Sequence, residues 1–231
     1  MTLLNISPFA ISRWGAFFNH FDLFFKGFLY TLGISFGALL LALILGILSG
    51  GLSTSKSKVG KLISRIYVEV FQNTPLLVQM VFVYYGLAII SNGHVMISAF
   101  FTAVLCVGLY HGAYISEVIR SGIEAVPKGQ TEAALAQGFT ANQTMKLIIL
   151  PQAVRTILPP MTNQVVNLIK NTSTVAIISG ADIMFVAKAW AYDTTNYIPA
   201  FAGAAIFYFV ICFPLASWAR KQEELNKKTY S

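Results

Sequence analysis

The sequence predicts an all-α membrane protein with five transmembrane helices. Of its 231 residues, 56% are hydrophobic and only 11% are charged, whereas a soluble domain carries about a quarter charged residues. The mean hydropathy is +0.66, and apolar stretches long enough to cross the ~30 Å hydrocarbon layer recur along the chain. One membrane domain accounts for this length, so we expect no separate catalytic domain.

The charge and cysteine patterns argue against two other classes of protein. The formal net charge of +7 does not indicate a nucleic-acid partner, because the basic residues flank apolar stretches, where they orient the spans. Cys106 and Cys212 lie inside apolar runs, and we interpret them as packing residues rather than as a disulfide or metal pair. The N-terminus has no basic segment followed by a short apolar core, so no cleaved signal peptide is expected.

The N-terminal third predicts a surface helix, a first span and a cytoplasmic loop. Aromatic residues recur at helical spacing between Trp14 and Phe25, so residues 1–26 are predicted to form an amphipathic segment at the membrane surface. Residues 27–52 are uncharged and form the first span. Residues 53–65 carry four basic and no acidic side chains, which predicts a cytoplasmic loop.

The second and third spans each contain an unusual polar feature. The second span, residues 66–90, contains Pro75, which predicts a kink that faces protein or water. Residues 91–95 have no lysine or arginine and predict an outside turn. The third span, residues 96–119, leads to Glu117 and Arg120, three positions apart on one helical face. Two interpretations stay open: an interfacial salt bridge, or a carboxylate that faces a solute path and receives an ammonium group.

The fourth span, residues 153–169, is predicted to be broken by Pro159-Pro160 and is unusually polar. Asn163, Asn167 and Lys170 follow the spacing i, i+4, i+7 and therefore share one helical face, with Gln164 beside them. Polar groups are costly in hydrocarbon, so this face must contact protein or water. Hydrogen bonding between helices and a polar lining for a hydrophilic solute both remain open.

The last part of the chain completes the predicted topology. Residues 181–199 combine mixed charges with aromatic side chains, which is typical of an outer interface. Residues 201–219 form the fifth span, and residues 220–231 a basic cytoplasmic tail. The basic residues concentrate in the loops placed inside, which predicts an N-terminus outside and a C-terminus inside.

Residues 130–151 are the longest moderately polar stretch of the chain. Residues 132–137, Glu-Ala-Ala-Leu-Ala-Gln, are strong helix formers, and Gly138 can adopt the left-handed conformation that ends a helix. Thr140 and Gln143 have the spacing of a capping box, so a second helix is expected to start there and to run through residues 146–150 into Pro151.

This stretch resembles the EAA signature of ABC importer permeases. Glu132-Ala133-Ala134 is followed after three residues by Gly138, and then by Ile148 and Leu150-Pro151. The residues Gln-Asn-Thr-Pro-Leu-Leu-Val-Gln at 72–79 and the segments 113–123 and 162–183 resemble the polar amino acid branch of that family. Gln72 departs from the pattern, because an arginine is common at this position. The resemblance covers residues ~20–225.

The resemblance implies a type I importer permease fold and a defined set of partners. A permease domain at residues 27–219 would include a cytoplasmic coupling loop at residues 120–151. Two ABC ATPase subunits, a second permease chain and an extracellular or periplasmic substrate-binding protein are expected, in a bacterial cell membrane. The residues that would couple to the ATPase are Glu132, Ala133, Ala134, Leu135 and Gly138. The residues expected along the substrate path are Glu117, Asn163, Gln164, Asn167 and Lys170.

The sequence also predicts which chemistry resides in partner proteins. The Gly60-Lys61 pair is followed by leucine, so the chain has no phosphate-binding loop of the GxxxxGK[ST] type. The three histidines lack the spacing of metal ligands, and neither a cofactor nor enzymatic activity is expected. The polar face of the fourth span carries no carboxylate, which favours glutamine, glutamate or aspartate as solute, with Lys170 as a candidate carboxylate partner. The alternatives are an ion-gradient-driven secondary transporter and a structural membrane subunit.

Overall fold

The computed structural model describes residue 7 and residues 9–230, and for residues 222, 223 and 225–230 it describes the backbone alone. These residues form helices and turns, without a strand among them. The α-helices are α1 (Ile11–Asn19), α2 (Phe21–Thr54), α3 (Lys58–Gln72), α4 (Leu76–Val81), α5 (Leu87–Ile90), α6 (Ala99–Glu124), α7 (Lys128–Ala136), α8 (Ala141–Gln143), α9 (Leu150–Asn171), α10 (Ile183–Thr194) and α11 (Tyr197–Tyr230). Two π-helical turns, Phe82–Gly86 and Thr144–Ile149, and the 3₁₀ segment Thr172–Ile178 continue α4, α8 and α9.

Three described helices are each long and apolar enough to cross a membrane: Phe21–Thr54, Ala99–Glu124 and the part Tyr197–Lys221 of α11. Two further helix pairs qualify if each pair, with its short break, counts as one span. The first pair is Lys58–Gln72 with Leu76–Ile90, and the second is Ala141–Ile178 with Ile183–Thr194. The resulting maximum of five agrees with the number of spans that the sequence predicts.

One compact unit comprises Met1–Ala38, Leu76–Val107 and Asn167–Pro214. Its core is an aromatic and alanine-rich cluster in which Phe17, Phe24 and Trp190 make edge-to-face ring contacts. Such ring pairs contribute about 0.5–1.5 kcal/mol beyond burial. Thr31 accepts a 3.1 Å hydrogen bond from the backbone N–H of Ile183, which satisfies the first amide of α10.

The other unit comprises Leu39–Pro75, Gly108–Val166 and Leu215–Ser231. Glycines on α2 let α6 approach closely, since a Cβ built on Gly46 would lie 2.3 Å from Cγ2 of Ile115. Ser49, Ser64 and Ser116 form a buried hydroxyl cluster, with oxygen–oxygen distances of 2.8 Å and 2.9 Å. Small residues and interhelical hydroxyl bonds are the means by which helices associate inside a membrane.

The predicted cytoplasmic loop at residues 53–65 is wrong in extent. Helix α2 continues to Thr54 and α3 begins at Lys58, so the linker spans only residues 55–57. Ser57 caps α3, because its hydroxyl accepts the N–H of Gly60 at 3.1 Å. The predicted interruption at Pro75 is confirmed, because α3 ends at Gln72 and α4 starts at Leu76.

The predicted break at Pro159-Pro160 is wrong, since both prolines lie inside the continuous helix α9. Tertiary packing therefore overrides the usual cost of proline in a helix interior. The helix that starts after Thr140 is predicted to run only as far as Pro151. In the structure it continues, because the π-helical turn Thr144–Ile149 leads directly into α9. A wider turn before Pro151 relieves the clash between a proline ring and the preceding turn.

Two aromatic predictions need correction. The N-terminal amphipathic segment is split at His20 into α1 and the start of α2, and Phe17 and Phe24 are buried in a core; the expectation for residues 1–6 and 8 lies outside the described residues. In residues 181–199, Trp190 is buried rather than exposed at an interface, whereas Tyr192 and Tyr197 are exposed. The apolar face of α10 packs in the same cluster.

Candidate functional site: the coupling loop and the polar face of helix α9

Helix α7 begins four residues earlier than the sequence predicts. Pro127 precedes it with φ −56° and ψ 134°, and its carbonyl accepts the N–H of Gln130 at 3.0 Å, which closes the first turn. Proline is compatible with a helix start because it lacks only an N–H that would have no helical partner there. The helix that contains Glu132 is therefore two and a half turns long.

The end of α7 has the geometry of a Schellman motif. Gly138 has φ +87°, and its N–H donates to the carbonyl of Leu135 at 3.0 Å. The N–H of Phe139 donates to the carbonyl of Ala134 at 3.1 Å. These two bonds satisfy carbonyls that would otherwise lack partners. Nothing lies within 4 Å of a Cβ placed on Gly138, so the glycine is required by backbone conformation and not by space.

The residues of the EAA signature divide into one inward and several outward positions. Ala134 is 5% exposed, and α7 packs against the π-helical turn Thr144–Ile149. Glu132, Ala133 and Leu135 are exposed, and Leu135 borders an open groove of about 870 Å³ that Thr131 and Met145 also line. The exposed apolar side chain of Leu135, beside the small residue Ala133 and the carboxylate of Glu132, forms a surface that another protein backbone can approach closely.

The connection after Gly138 confirms the predicted capping box. The hydroxyl of Thr140 accepts the N–H of Gln143 at 3.3 Å, and the side-chain oxygen of Gln143 accepts the N–H of Thr140 at 2.8 Å. The hydrogen bonds at the end of α7 and at the start of α8 thus fix the turn between the two helices.

Glu117 and Arg120 form a salt bridge, as the first of the two interpretations of this pair predicts. Arg120 donates from Nε to Oε1 of Glu117 at 3.0 Å and from Nη2 to Oε2 at 2.7 Å, and Nη1 contacts Glu124. Both side chains of the Glu117–Arg120 pair are about one third exposed, so solvent weakens their attraction. The carboxylate of Glu117 is thus engaged by a guanidinium, while its place in the substrate path stays a prediction.

Gln72 lies in the same unit as this ion pair. Its Nε2 donates to the backbone carbonyl of Ala113 at 3.2 Å. Together with Glu117 and Arg120 it borders an open cavity of about 340 Å³. Gln72 is uncharged and bonds to the main chain of α6, so it adds no positive charge beside the Glu117–Arg120 pair.

The polar residues of α9 are arranged as the helical spacing predicts. Asn163, Asn167 and Lys170 are all exposed, whereas Gln164 is half-buried at the edge of that face. The structure thus presents an exposed polar strip along a helix that contributes to a candidate span. The role of these four residues in a substrate path remains a prediction.

One contact of this face was missed by the sequence reasoning. His111 is 1% exposed, and its Nδ1 lies 3.4 Å from Oε1 of Gln164. His111 and Gln164 are 53 positions apart, so no local pattern in the sequence joins them. The sequence does place a polar side chain in the middle of an apolar span, and a buried polar group needs a hydrogen-bonding partner.

Comparisons with known proteins agree with this architecture. Residues 42–224 match the family model described as "Binding-protein-dependent transport system inner membrane component". The probable glutamine ABC transporter permease protein GlnM of Bacillus subtilis (strain 168) is 34% identical, over 92% of this chain and 97% of that protein. The probable amino-acid ABC transporter permease protein PatM of Vibrio harveyi is 36% identical, over 85% of this chain and 89% of that protein.

Solved structures show the same fold. A chain of the crystal structure of an amino acid ABC transporter with histidines superposes with a TM-score of 0.84 and 31% identity, covering 91% of this chain and 97% of that chain. The inward-facing MetNI methionine ABC transporter superposes with a TM-score of 0.68 at 17% identity, which supports the fold alone. The chain therefore belongs to the family of binding-protein-dependent transport system inner membrane components, as a multi-pass permease subunit of the amino acid ABC importer type, in which a separate subunit hydrolyses ATP.

Proposed function

We propose that this permease conducts glutamine across the membrane and takes its driving force from an ATPase that docks on α7. The observation that carries the proposal is the exposed helix Lys128–Ala136, closed by the Schellman motif at Gly138. A helix that must transmit movement between proteins needs a rigid end, and this helix has two backbone hydrogen bonds across its terminal glycine.

The proposed coupling is mechanical. ATP binding would bring two ATPase subunits together, and the α7 helices of this chain and of a second permease chain would move with them. Two permease chains, identical or homologous, would then open the path to the outside, and ATP hydrolysis would reset it. Energetic coupling of this kind requires only that the two conformations differ in their contacts with the ATPase.

The proposed orientation places α7 in the cytoplasm, with the N-terminus outside and the C-terminus inside. The basic residues support it: Lys56, Lys58, Lys61 and Arg65 lie around the start of α3, while Lys128 and Lys146 lie within the coupling loop. Such residues concentrate on the cytoplasmic side of membrane proteins. A substrate-binding protein would then deliver solute on the opposite face.

Glutamine is proposed as the solute on two grounds. The curated relative from Bacillus subtilis is named as a glutamine permease. The exposed strip of α9 offers the amide groups of Asn163 and Asn167 and the ammonium group of Lys170, and no carboxylate. Glutamate and aspartate share the acceptor groups that this strip would bind, whereas a cationic amino acid would place its charge near Lys170.

Reconstitution tests this proposal. The permease, its ATPase and its binding protein in proteoliposomes should accumulate radiolabelled glutamine only when ATP is enclosed with the ATPase. Unlabelled glutamate should compete more strongly than unlabelled arginine. Accumulation that persists without the ATPase would favour a secondary transporter and contradict the coupling. Preferred uptake of arginine or histidine would contradict the substrate assignment while leaving the coupling intact.

A further inference from the structure

The side chain of Gln164 stands at the boundary between the packed interior and the exposed polar strip of α9. Gln164 is half-buried, and its neighbour Asn163 is exposed. Its Oε1 lies 3.4 Å from Nδ1 of His111 on α6. Because the amide oxygen is an acceptor only, this contact is a hydrogen bond in the tautomer that carries its proton on Nδ1, with the imidazole as the donor.

We propose that His111 is a positioning residue that orients the Gln164 amide, so that its amino group and not its oxygen faces the solute. The inference rests on the proposed function, since it assumes that the strip around Gln164 contacts glutamine. A glutamine side chain rotates about its last torsion with two broad minima. An unrestrained Gln164 would therefore offer either a donor or an acceptor, and the bond to His111 selects the donor.

The selected orientation matches the chemistry of the proposed solute. The Gln164 amino group has two N–H donors, and glutamine offers acceptors in its α-carboxylate and in its side-chain carbonyl. A donor that is already oriented loses less conformational freedom on binding than one that must be ordered by the solute. His111 would thus raise affinity for the solute without contacting it.

The segment of α6 that carries His111 is itself held in place. The hydroxyl of Tyr67 donates to the carbonyl of Leu109 at 2.7 Å. A Cβ on Gly112 would lie 2.5 Å from that hydroxyl, so α3 and α6 are in close contact beside His111. The hydroxyls of Tyr110 and Tyr114 lie 3.2 Å apart. A supporting residue that is fixed by its own neighbours can hold another side chain to a narrow range of positions.

Four variants of the complete permease–ATPase complex test the proposal: His111→Leu, His111→Asn, Gln164→Ala and the double variant His111→Leu/Gln164→Ala. The Kd of radiolabelled glutamine is measured without the binding protein. His111→Leu removes the donor, and Gln164→Ala removes the amide. Gln164→Ala should raise the Kd about tenfold, the amount expected for the loss of one hydrogen bond. His111→Leu should raise it about twofold or more, because the donor orientation is then only one of two populated orientations. His111→Asn places an amide N–H near the position of Nδ1, and its Kd should stay at the wild-type value.

The double variant separates a positioning role from a structural one. If His111 acts through Gln164, the double variant should have the same Kd as Gln164→Ala. A Kd raised above that of Gln164→Ala, to the product of the two single effects, would overturn the proposal. The proposal would also be overturned if His111→Asn had a Kd as high as that of His111→Leu while the melting temperature of the complex was unchanged. A wild-type Kd for Gln164→Ala would instead refute the role of Gln164 in the substrate path, and the inference would fall with it.

Discussion

The backbone N–H of Phe139 donates a 3.1 Å hydrogen bond to the carbonyl oxygen of Ala134, across the left-handed residue Gly138. Ala134 is also the buried member of the EAA signature. The residue that packs α7 onto its own loop is therefore the residue whose carbonyl closes the helix. Ala134 both packs α7 and accepts the hydrogen bond across Gly138. We therefore expect a change at Gly138 to alter the orientation of α7.

Gly138→Ala should uncouple ATP hydrolysis from uptake. A side chain at φ +87° costs about 1–2 kcal/mol, which loosens the hydrogen bonds across the helix end. We expect glutamine accumulation in proteoliposomes to fall severalfold while basal ATP hydrolysis is retained. The matched control is Gly129→Ala in the same helix, where no atom lies within 4 Å of the new Cβ and φ is not positive. Equal losses in both variants would contradict the role assigned to Gly138.

Ala133 and Ala134 should respond in opposite ways to enlargement. Ala133→Leu places an exposed side chain on the proposed docking surface, so the melting temperature should stay unchanged while the ATPase no longer co-purifies. Ala134→Leu overfills a buried position that is 5% exposed and should cost about 1–3 kcal/mol of stability. The measurements are thermal unfolding in detergent and co-purification with the ATPase. An intact ATPase complex of Ala133→Leu would argue against docking at this face.

Gly46→Ala should destabilise the unit in which the C-terminal parts of α2 and α6 pack together. The added methyl group would lie 2.3 Å from Cγ2 of Ile115 and 3.1 Å from the carbonyl of Gly112, so the two helices would have to separate. The expected cost is about 1–3 kcal/mol, seen as a lower melting temperature. Gly51→Ala on the same helix meets no atom within 4 Å and should leave the melting temperature unchanged or slightly raised.

Thr31→Val should destabilise the other unit. The Thr31 hydroxyl accepts the N–H of Ile183 at 3.1 Å and donates to the carbonyl of Gly27 at 3.0 Å. Valine has similar volume but leaves that buried N–H without an acceptor, at a cost of about 1–3 kcal/mol. Ser35→Ala removes a hydroxyl that donates to the carbonyl of Thr31 in its own helix and should cost no more than about 0.5 kcal/mol. A melting temperature equally lowered in both variants would contradict the assignment.

The elements that the sequence predicts well are those with a local signal. The capping box at Thr140, the left-handed Gly138 and the interruption at Pro75 each depend on a few adjacent residues, and the structure confirms all three. The polar strip of α9 follows from helical spacing alone, and its three residues are exposed on one helix.

The elements that the sequence misses depend on contacts between distant segments. Helix α9 continues through Pro159, because packing of a long helix outweighs a local preference. Trp190 is buried by Phe17 and Phe24, which lie more than 160 positions earlier. The contact of His111 with Gln164 joins two helices, and composition within either helix does not predict the partner.

Site-specific cross-linking tests the central claim most directly. A benzophenone on a cysteine introduced at Gln137, in a complex whose Cys106 and Cys212 are replaced by alanine, lies at the exposed end of α7. A matched probe at His94 lies in the turn predicted on the opposite side of the membrane. Illumination of the working transporter should join the ATPase to Gln137 and not to His94. A cross-link to the ATPase from His94 alone would contradict the account.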